Sequence, residues 1–126
     1  MAAALEGDGV EWVVDAAGCD TSCLTSPDSL GALFARLIAD LDLRVIGAPL
    51  WHVFPGHAGV TGMCLLAESH LTVHTFPEHG SLCLNLFCCR PRASWDFAAR
   101  LPELVGATEV RVRRLERRYA GAAATA

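Results

Sequence analysis

The sequence predicts an α+β fold: a two-layer sandwich in which a mostly antiparallel sheet carries two helices on one face. Three observations predict it. Residues 10–16, 69–75 and 109–118 alternate apolar and polar side chains with the period of a strand. Two other segments repeat apolar residues at helical spacing. The order along the chain is strand, helix, strands, helix, strand, which suits a sheet with helices gathered on one side.

Each element has its own local reason. Val10 to Ala16 reads as a first strand ended by Gly18. Ser26-Pro27-Asp28-Ser29 is a helix start, with a capping hydroxyl, a proline in the first turn and an acid near the positive end of the helix dipole. Leu30, Leu33, Phe34, Leu37, Ile38 and Leu41 then form one apolar stripe. Residues 44–53 return to strand character, broken near Pro55-Gly56-His57-Ala58-Gly59. Residues 60–66, 69–75 and 82–89 follow as strands, and the run from 80 to 87 is apolar enough for a central one. A second helix is expected to start near Ala93-Ser94-Trp95 and turn Phe97, Leu101 and Leu104 inward, with Pro102 kinking it or ending it early. In the last strand Val110 and Val112 should face inward, and Arg111 and Arg113 outward. Residues 1–7 read as a frayed end and 120–126 as a disordered tail.

Composition narrows the function classes. A chain of 126 residues makes one domain, residues 1–126, with a core that needs no staples. With 52% apolar and 19% charged residues it is not a disordered polymer. A net charge of −4 argues against nucleic acid, and the one basic run, Arg111 to Arg118, reads as a solvated edge or a subunit contact. No apolar run is long enough for a membrane span, and residues 1–8 are acidic without a signal-like apolar core. The six cysteines are therefore expected as reduced thiols in a cytoplasmic protein. Five histidines raise the question of zinc, but none shows H-E-x-x-H spacing and Cys19-x-x-x-Cys23 lacks a second pair, so no metal site is expected.

The chemistry concentrates between Leu66 and Gly80. Glu68, Ser69, His70 and His74 put a carboxylate, a hydroxyl and two imidazoles within seven residues. On a strand His70, Thr72 and His74 share one face, with Leu71 and Val73 on the other. Such a polar face is costly unless it is wet or functional.

Glu68-Ser69-His70 followed by His74-Thr75-Phe76-Pro77-Glu78 resembles the processing site of the bacterial and archaeal S-adenosylmethionine decarboxylase proenzymes, with phenylalanine for the family's tryptophan. Gly59-Val60-Thr61-Gly62 and Phe87-Cys88-Cys89 extend the resemblance at the family's spacing. It implies self-cleavage between Glu68 and Ser69 into residues 1–68 and 69–126. Ser69 would attack the preceding carbonyl, and elimination and hydrolysis would then turn it into a pyruvoyl group, the cofactor. His74 would take up the Ser69 Cα proton, and Cys89 would contribute to processing and protonate the product carbon after the substrate, bound as a Schiff base, loses carbon dioxide. Thr61, where the family has serine, would donate to the scissile carbonyl. Phe54, Phe76 and Glu78 would contact the substrate. The resemblance also implies S-adenosylmethionine as substrate, a product that feeds spermidine synthesis, and a homodimer of cleaved protomers with sites at the interface.

His70 reads equally as structural or functional, and Cys88 should face away from Cys89. Cys19, Cys23, Cys64 and Cys83 read as small core residues. Two other functions stay open. Gly9-Val10-Glu11-Trp12 departs from the family's G-R-H-L, and the 54–58 loop is irregular, which leaves room for a pyruvoyl enzyme acting on ornithine or arginine. A binding module that never cleaves itself is the second.

Overall fold

A computed structural model describes residues 7–120. In chain order the elements are β1 (Asp8–Ala17), α1 (Thr21–Leu24), α2 (Pro27–Leu41), β2 (Leu50–Val53), β3 (Val60–Leu66), β4 (Ser69–Phe76), β5 (Ser81–Cys88), α3 (Phe97–Val105) and β6 (Glu109–Arg118), with a 3₁₀ turn at Pro77–His79. The six strands form one sheet in the order β2-β3-β4-β5-β1-β6. Every pairing is antiparallel. The α+β architecture expected from the sequence is therefore present, with β4 and β5 at its centre.

Period-two alternation decides which face is buried. Val10, Trp12, Val14 and Ala16 of β1, Leu71 and Val73 of β4, and Leu82, Leu84 and Leu86 of β5 all point to one side and are buried. Leu30, Leu33, Phe34 and Leu37 of α2 and Phe97, Leu101 and Val105 of α3 complete that core. Each such side chain contributes on the order of 1.5–3 kcal/mol of transfer free energy. The Ser26 hydroxyl accepts the Ser29 N–H at 3.2 Å, so the capping signature works as read, and α2 ends at Asp42 in the left-handed region. Trp95 Nε1 donates to Asp40 Oδ2 at 2.8 Å and ties the segment before α3 to α2. That bond, ahead of the nearby Arg36, holds the Asp40 carboxyl below the usual carboxylate range against the opposing effect of desolvation.

The motif glycines have a packing reason. A Cβ on Gly62 would lie 2.1 Å from the Trp51 ring, and one on Gly59 would lie 2.8 Å from the Thr75 carbonyl oxygen. Both strands can approach only because these positions carry no side chain.

Five expectations need correction. Only Leu50–Val53 of residues 44–53 is a strand, because Gly47 at φ 75° and Pro49 break the run; Val45 keeps a single bridge to Leu66. The second long helix starts at Phe97, where the Asp96 side chain caps it, rather than near Ala93. Pro102 sits inside α3, which continues to Val105 and stops at Gly106, φ 72°. Val112 is on the helix-side face but exposed, since β6 is the outer strand and α3 covers only its Val110 end. Gly7 is paired rather than frayed, because its carbonyl accepts the Tyr119 N–H at 3.0 Å and that of Ala120 at 3.3 Å. The expectations for residues 1–6 and 121–126 lie outside the described residues.

The sheet's other face has no helix on it among the described residues. Leu50, Met63 and Leu65 on that side are 70%, 50% and 59% exposed, so large apolar side chains gather on the uncovered face. The basic β6 is largely neutralised by β1: Arg118 pairs with Asp8 at 3.0 Å, Arg113 with Asp15 at 3.7 Å, and Arg117 with Glu11.

Candidate active site

β3 and β4 form a hairpin whose two connecting residues are Ala67 and Glu68, so Ser69 is the first residue of β4. The turn is anchored from two sides. The Ala67 N–H donates to the Arg44 carbonyl, and the Cys89 N–H donates to the Glu68 carbonyl, both at 2.9 Å. That Glu68 carbonyl belongs to the Glu68–Ser69 peptide bond, so a backbone donor already polarises it. Opposite Ser69 in the β4–β5 register stands Cys88, not Cys89. A cavity of about 380 Å3 opens here, lined by Ser69, both cysteines, Arg44, Arg90 and Arg92 among others. Arg90 Nε lies 2.9 Å from Glu68 Oε2. Burial pushes the Cys88 thiol above its usual range, opposed by the Arg92 guanidinium and the Ser69 hydroxyl. It is a proton-bearing thiol at neutral pH.

The far end of β4 holds a second group. Thr61 and His74 are cross-strand partners on the open face, and the Thr61 hydroxyl lies 3.0 Å from His74 Nδ1. Thr75 points the other way. Its hydroxyl donates to the Leu24 carbonyl at 2.6 Å and accepts the Val60 N–H at 2.8 Å, which locks the strand end. A cavity of about 360 Å3 is formed by Phe54, Phe76, His57, Thr61, His74 and Glu78 among others. Two aromatic side chains and a carboxylate on one cavity suit a flat, hydrogen-bonding ring system.

The expected site residues thus fall into two half-sites. Glu68, Ser69 and Cys89 line one cavity; Thr61, His74, Phe54, Phe76 and Glu78 line the other. Five residue steps along β4 separate Ser69 from His74, roughly 17 Å at the rise of a β-strand. Within one chain His74 does not reach Ser69, and the Thr61 hydroxyl engages His74 while the Glu68 carbonyl takes the Cys89 N–H.

Sequence reading missed Cys88, Arg90 and Arg92 as neighbours of Ser69. A signal for the first lay in counting cross-strand register back from Gly80; nothing local marked the arginines. His70 stacks on Phe87, centroids 5.5 Å apart, on the open face. Cys83 is exposed there, beside Asp15, rather than in the core. All six cysteines are free thiols. Among the described residues no three His, Cys, Asp or Glu side chains converge as a metal site, and no helix is long and apolar enough to cross a membrane.

Residues 10–118 match the family described as S-adenosylmethionine decarboxylase. The chain is 33% identical over 90 residues to the S-adenosylmethionine decarboxylase proenzyme of Thermococcus kodakarensis, covering 71% of this chain and 62% of that protein. It is 31% identical over 110 residues to the proenzyme of the same name from Picrophilus torridus, covering 86% and 83%. With the one from Shouchella clausii it shares 36% over 84 residues, covering 65% and 62%. The chain thus spans about three fifths of the length of the Thermococcus relative.

Proposed function

The chain belongs to the S-adenosylmethionine decarboxylase family, and from that membership and the two half-sites we propose that it is a self-processing, pyruvoyl-dependent decarboxylase of S-adenosylmethionine. The observation that carries this is the Glu68–Ser69 bond itself. It lies at a hairpin turn, its carbonyl accepts the Cys89 N–H at 2.9 Å, and the serine hydroxyl faces a cavity.

The processing chemistry follows from those atoms. Ser69 Oγ attacks the Glu68 carbonyl carbon while the Cys89 N–H steadies the charge growing on its oxygen. The amide C–N bond breaks and an ester forms. Removal of the Ser69 Cα proton then breaks the Cβ–Oγ bond, and both oxygens leave with Glu68 as a carboxylate. The dehydroalanine left behind takes up water and loses ammonia to become the pyruvoyl group. The residues fit that group: Ser69 supplies its three carbons, and small neighbours, Ala67 and Cys88, leave open volume beside it. Once formed, it offers a carbonyl to the substrate's α-amine and a sink for the electron pair left by departing carbon dioxide. Cys89 Sγ holds the proton that returns to the α-carbon.

His74 is the base for the Ser69 Cα proton, acting in a homodimer from one protomer onto the Ser69 of its partner. Support comes from the 3.0 Å Thr61–His74 contact on the open face, from the strand length between His74 and its own Ser69, and from the exposed Leu50, Met63 and Leu65. The slot of Phe54 and Phe76 fits the adenine of S-adenosylmethionine, and Glu78 fits its ribose hydroxyls or amine. This observation favours S-adenosylmethionine over ornithine or arginine, which carry no ring. The product, decarboxylated S-adenosylmethionine, serves spermidine synthesis. Free thiols at all six cysteines suit a reducing cytoplasm.

Intact mass spectrometry of fresh and aged protein tests the reading. The expected result is two fragments split between Glu68 and Ser69, the later one carrying a pyruvoyl start, together with carbon dioxide release from S-adenosylmethionine. A single full-length mass that persists would turn the reading to a binding module. Cleaved protein that decarboxylates only ornithine or arginine would keep the chemistry and overturn the substrate.

A further inference from the structure

We propose that the arginine-lined cavity beside the β3–β4 turn is a binding site for the carboxylate that self-cleavage creates on Glu68, and that it clamps the new chain end in place. The proposal rests on the self-cleavage reading above and names what the cavity holds afterwards. Before cleavage the cavity is lined by three arginines, Arg44, Arg90 and Arg92, against two acidic residues, Asp42 and Glu68. One of the three is already committed, Arg90 to the Glu68 side chain at 2.9 Å. Among the described residues neither Arg44 nor Arg92 has a carboxylate within ion-pair distance. The cavity therefore holds an excess of positive charge next to a bond whose cleavage releases one negative charge.

A donor is already in place for one oxygen of the product, and the arginines line the cavity beside the other. One carboxylate oxygen is the former Glu68 carbonyl oxygen, and the Cys89 N–H already donates to it at 2.9 Å. That bond becomes charge-assisted, and so stronger, once the oxygen is ionised. The other oxygen is the former Ser69 Oγ, since elimination breaks the Cβ–Oγ bond and leaves both oxygens on Glu68. Ser69 stands across the strands from Cys88, and Arg92 lines the same cavity. Arg92 is held there, because its Nη1 donates to the Leu41 carbonyl at the end of α2 at 3.0 Å. Cleavage thus exchanges a covalent tether at the end of β3 for an ionic one. Without it the hairpin's β3 strand would keep, at that end, its ladder to β4, the Val45 bridge to Leu66 and the Ala67 N–H bond to the Arg44 carbonyl.

Thermal unfolding of cut and uncut forms, each with and without the arginines, tests this. The uncut reference carries Ser69→Ala. In the cut protein Arg44→Gln with Arg92→Gln should lower the melting temperature by about 3–6 °C, whereas in the uncut reference it should lower it by about 1 °C or less, or raise it. Arg44→Lys with Arg92→Lys, which keeps the charge, should recover most of the loss. Should the glutamine pair fail to fold, salt makes the same test. Raising sodium chloride from about 50 mM to about 0.5 M should destabilise the cut wild-type protein more than the uncut reference, because partly exposed pairs are screened. Equal shifts in cut and uncut forms overturn the clamp while leaving self-cleavage intact. So does a rise in KM for substrate with no difference in melting, which would assign the arginines to the substrate's carboxylate. A wild-type chain that never cleaves is seen directly by mass and overturns the self-cleavage reading together with the clamp.

Discussion

At the scale of single residues, Cys88 and Cys89 divide their work by direction. Cys88 faces Ser69 across the strands, while Cys89 supplies its backbone N–H to the Glu68 carbonyl and lines the same cavity. Cys89→Ala removes the thiol but not the N–H. Decarboxylation by the cleaved Cys89→Ala protein should therefore fall by roughly 100-fold or more, the usual worth of a general acid. Self-cleavage, followed by mass, should slow far less; equal losses in both would sink this division. Cys19 carries a second prediction. Burial, reinforced by Cys23 and Asp20, pushes its thiol from 9.0 to about 11. Its folded value lies above the unfolded one, so the linked stability is fully present below about pH 9 and is lost as the pH rises towards 11. The drop in urea midpoint between about pH 8 and pH 10.5 should be smaller in Cys19→Ala than in the wild type. An unchanged drop would show that the thiol is not linked to folding.

At the scale of elements, β4 does two jobs with one alternation. Leu71 and Val73 fasten it to the helices, and His70, Thr72 and His74 stay on the open face. That division was legible from the sequence, because a strand's period is two and the apolar set must be buried. The β2–β3 pair was less so. Its strand is short, and the tight fit of Trp51 over Gly62 is a contact between distant positions that no local pattern announces. Gly62→Ala would drive a methyl into the Trp51 ring and should cost about 1–3 kcal/mol, the range for overpacking. Chemical denaturation measures it, and a variant as stable as the wild type would mean that the ring moves aside freely.

At the scale of the whole molecule, the separation of the two half-sites makes a prediction about pairing. A chain with Ser69→Ala cannot cleave itself, and one with His74→Ala lacks the base. If the base acts across a two-fold interface, co-expressing the two variants creates one intact site per mixed dimer. The His74→Ala chain should then be cut, in up to half of the molecules if mixing is random, while either variant alone stays whole. Mass spectrometry of the mixture reads this directly. No cleavage in the mixture would mean that His74 serves its own chain after a rearrangement that brings the strand ends together. The exposed Leu50, Met63 and Leu65 lie on the face such a dimer would cover.

By itself the sequence determined the α+β class, the strand and helix faces, the start of α2 and the identity of the motif residues, because these depend on period, capping and short spacing. It misjudged where α3 begins, how little of residues 44–53 pairs and how exposed Val112 is, since those follow from which partner covers a segment. Only the tertiary structure decided that Ser69 meets Cys88, that three arginines from two separate loops share its cavity, and that His74 stands a strand's length away. The physical reason is the same in each case. A strand's own pattern tells which face a side chain takes, but its cross-strand neighbours are chosen by register between segments far apart in the chain.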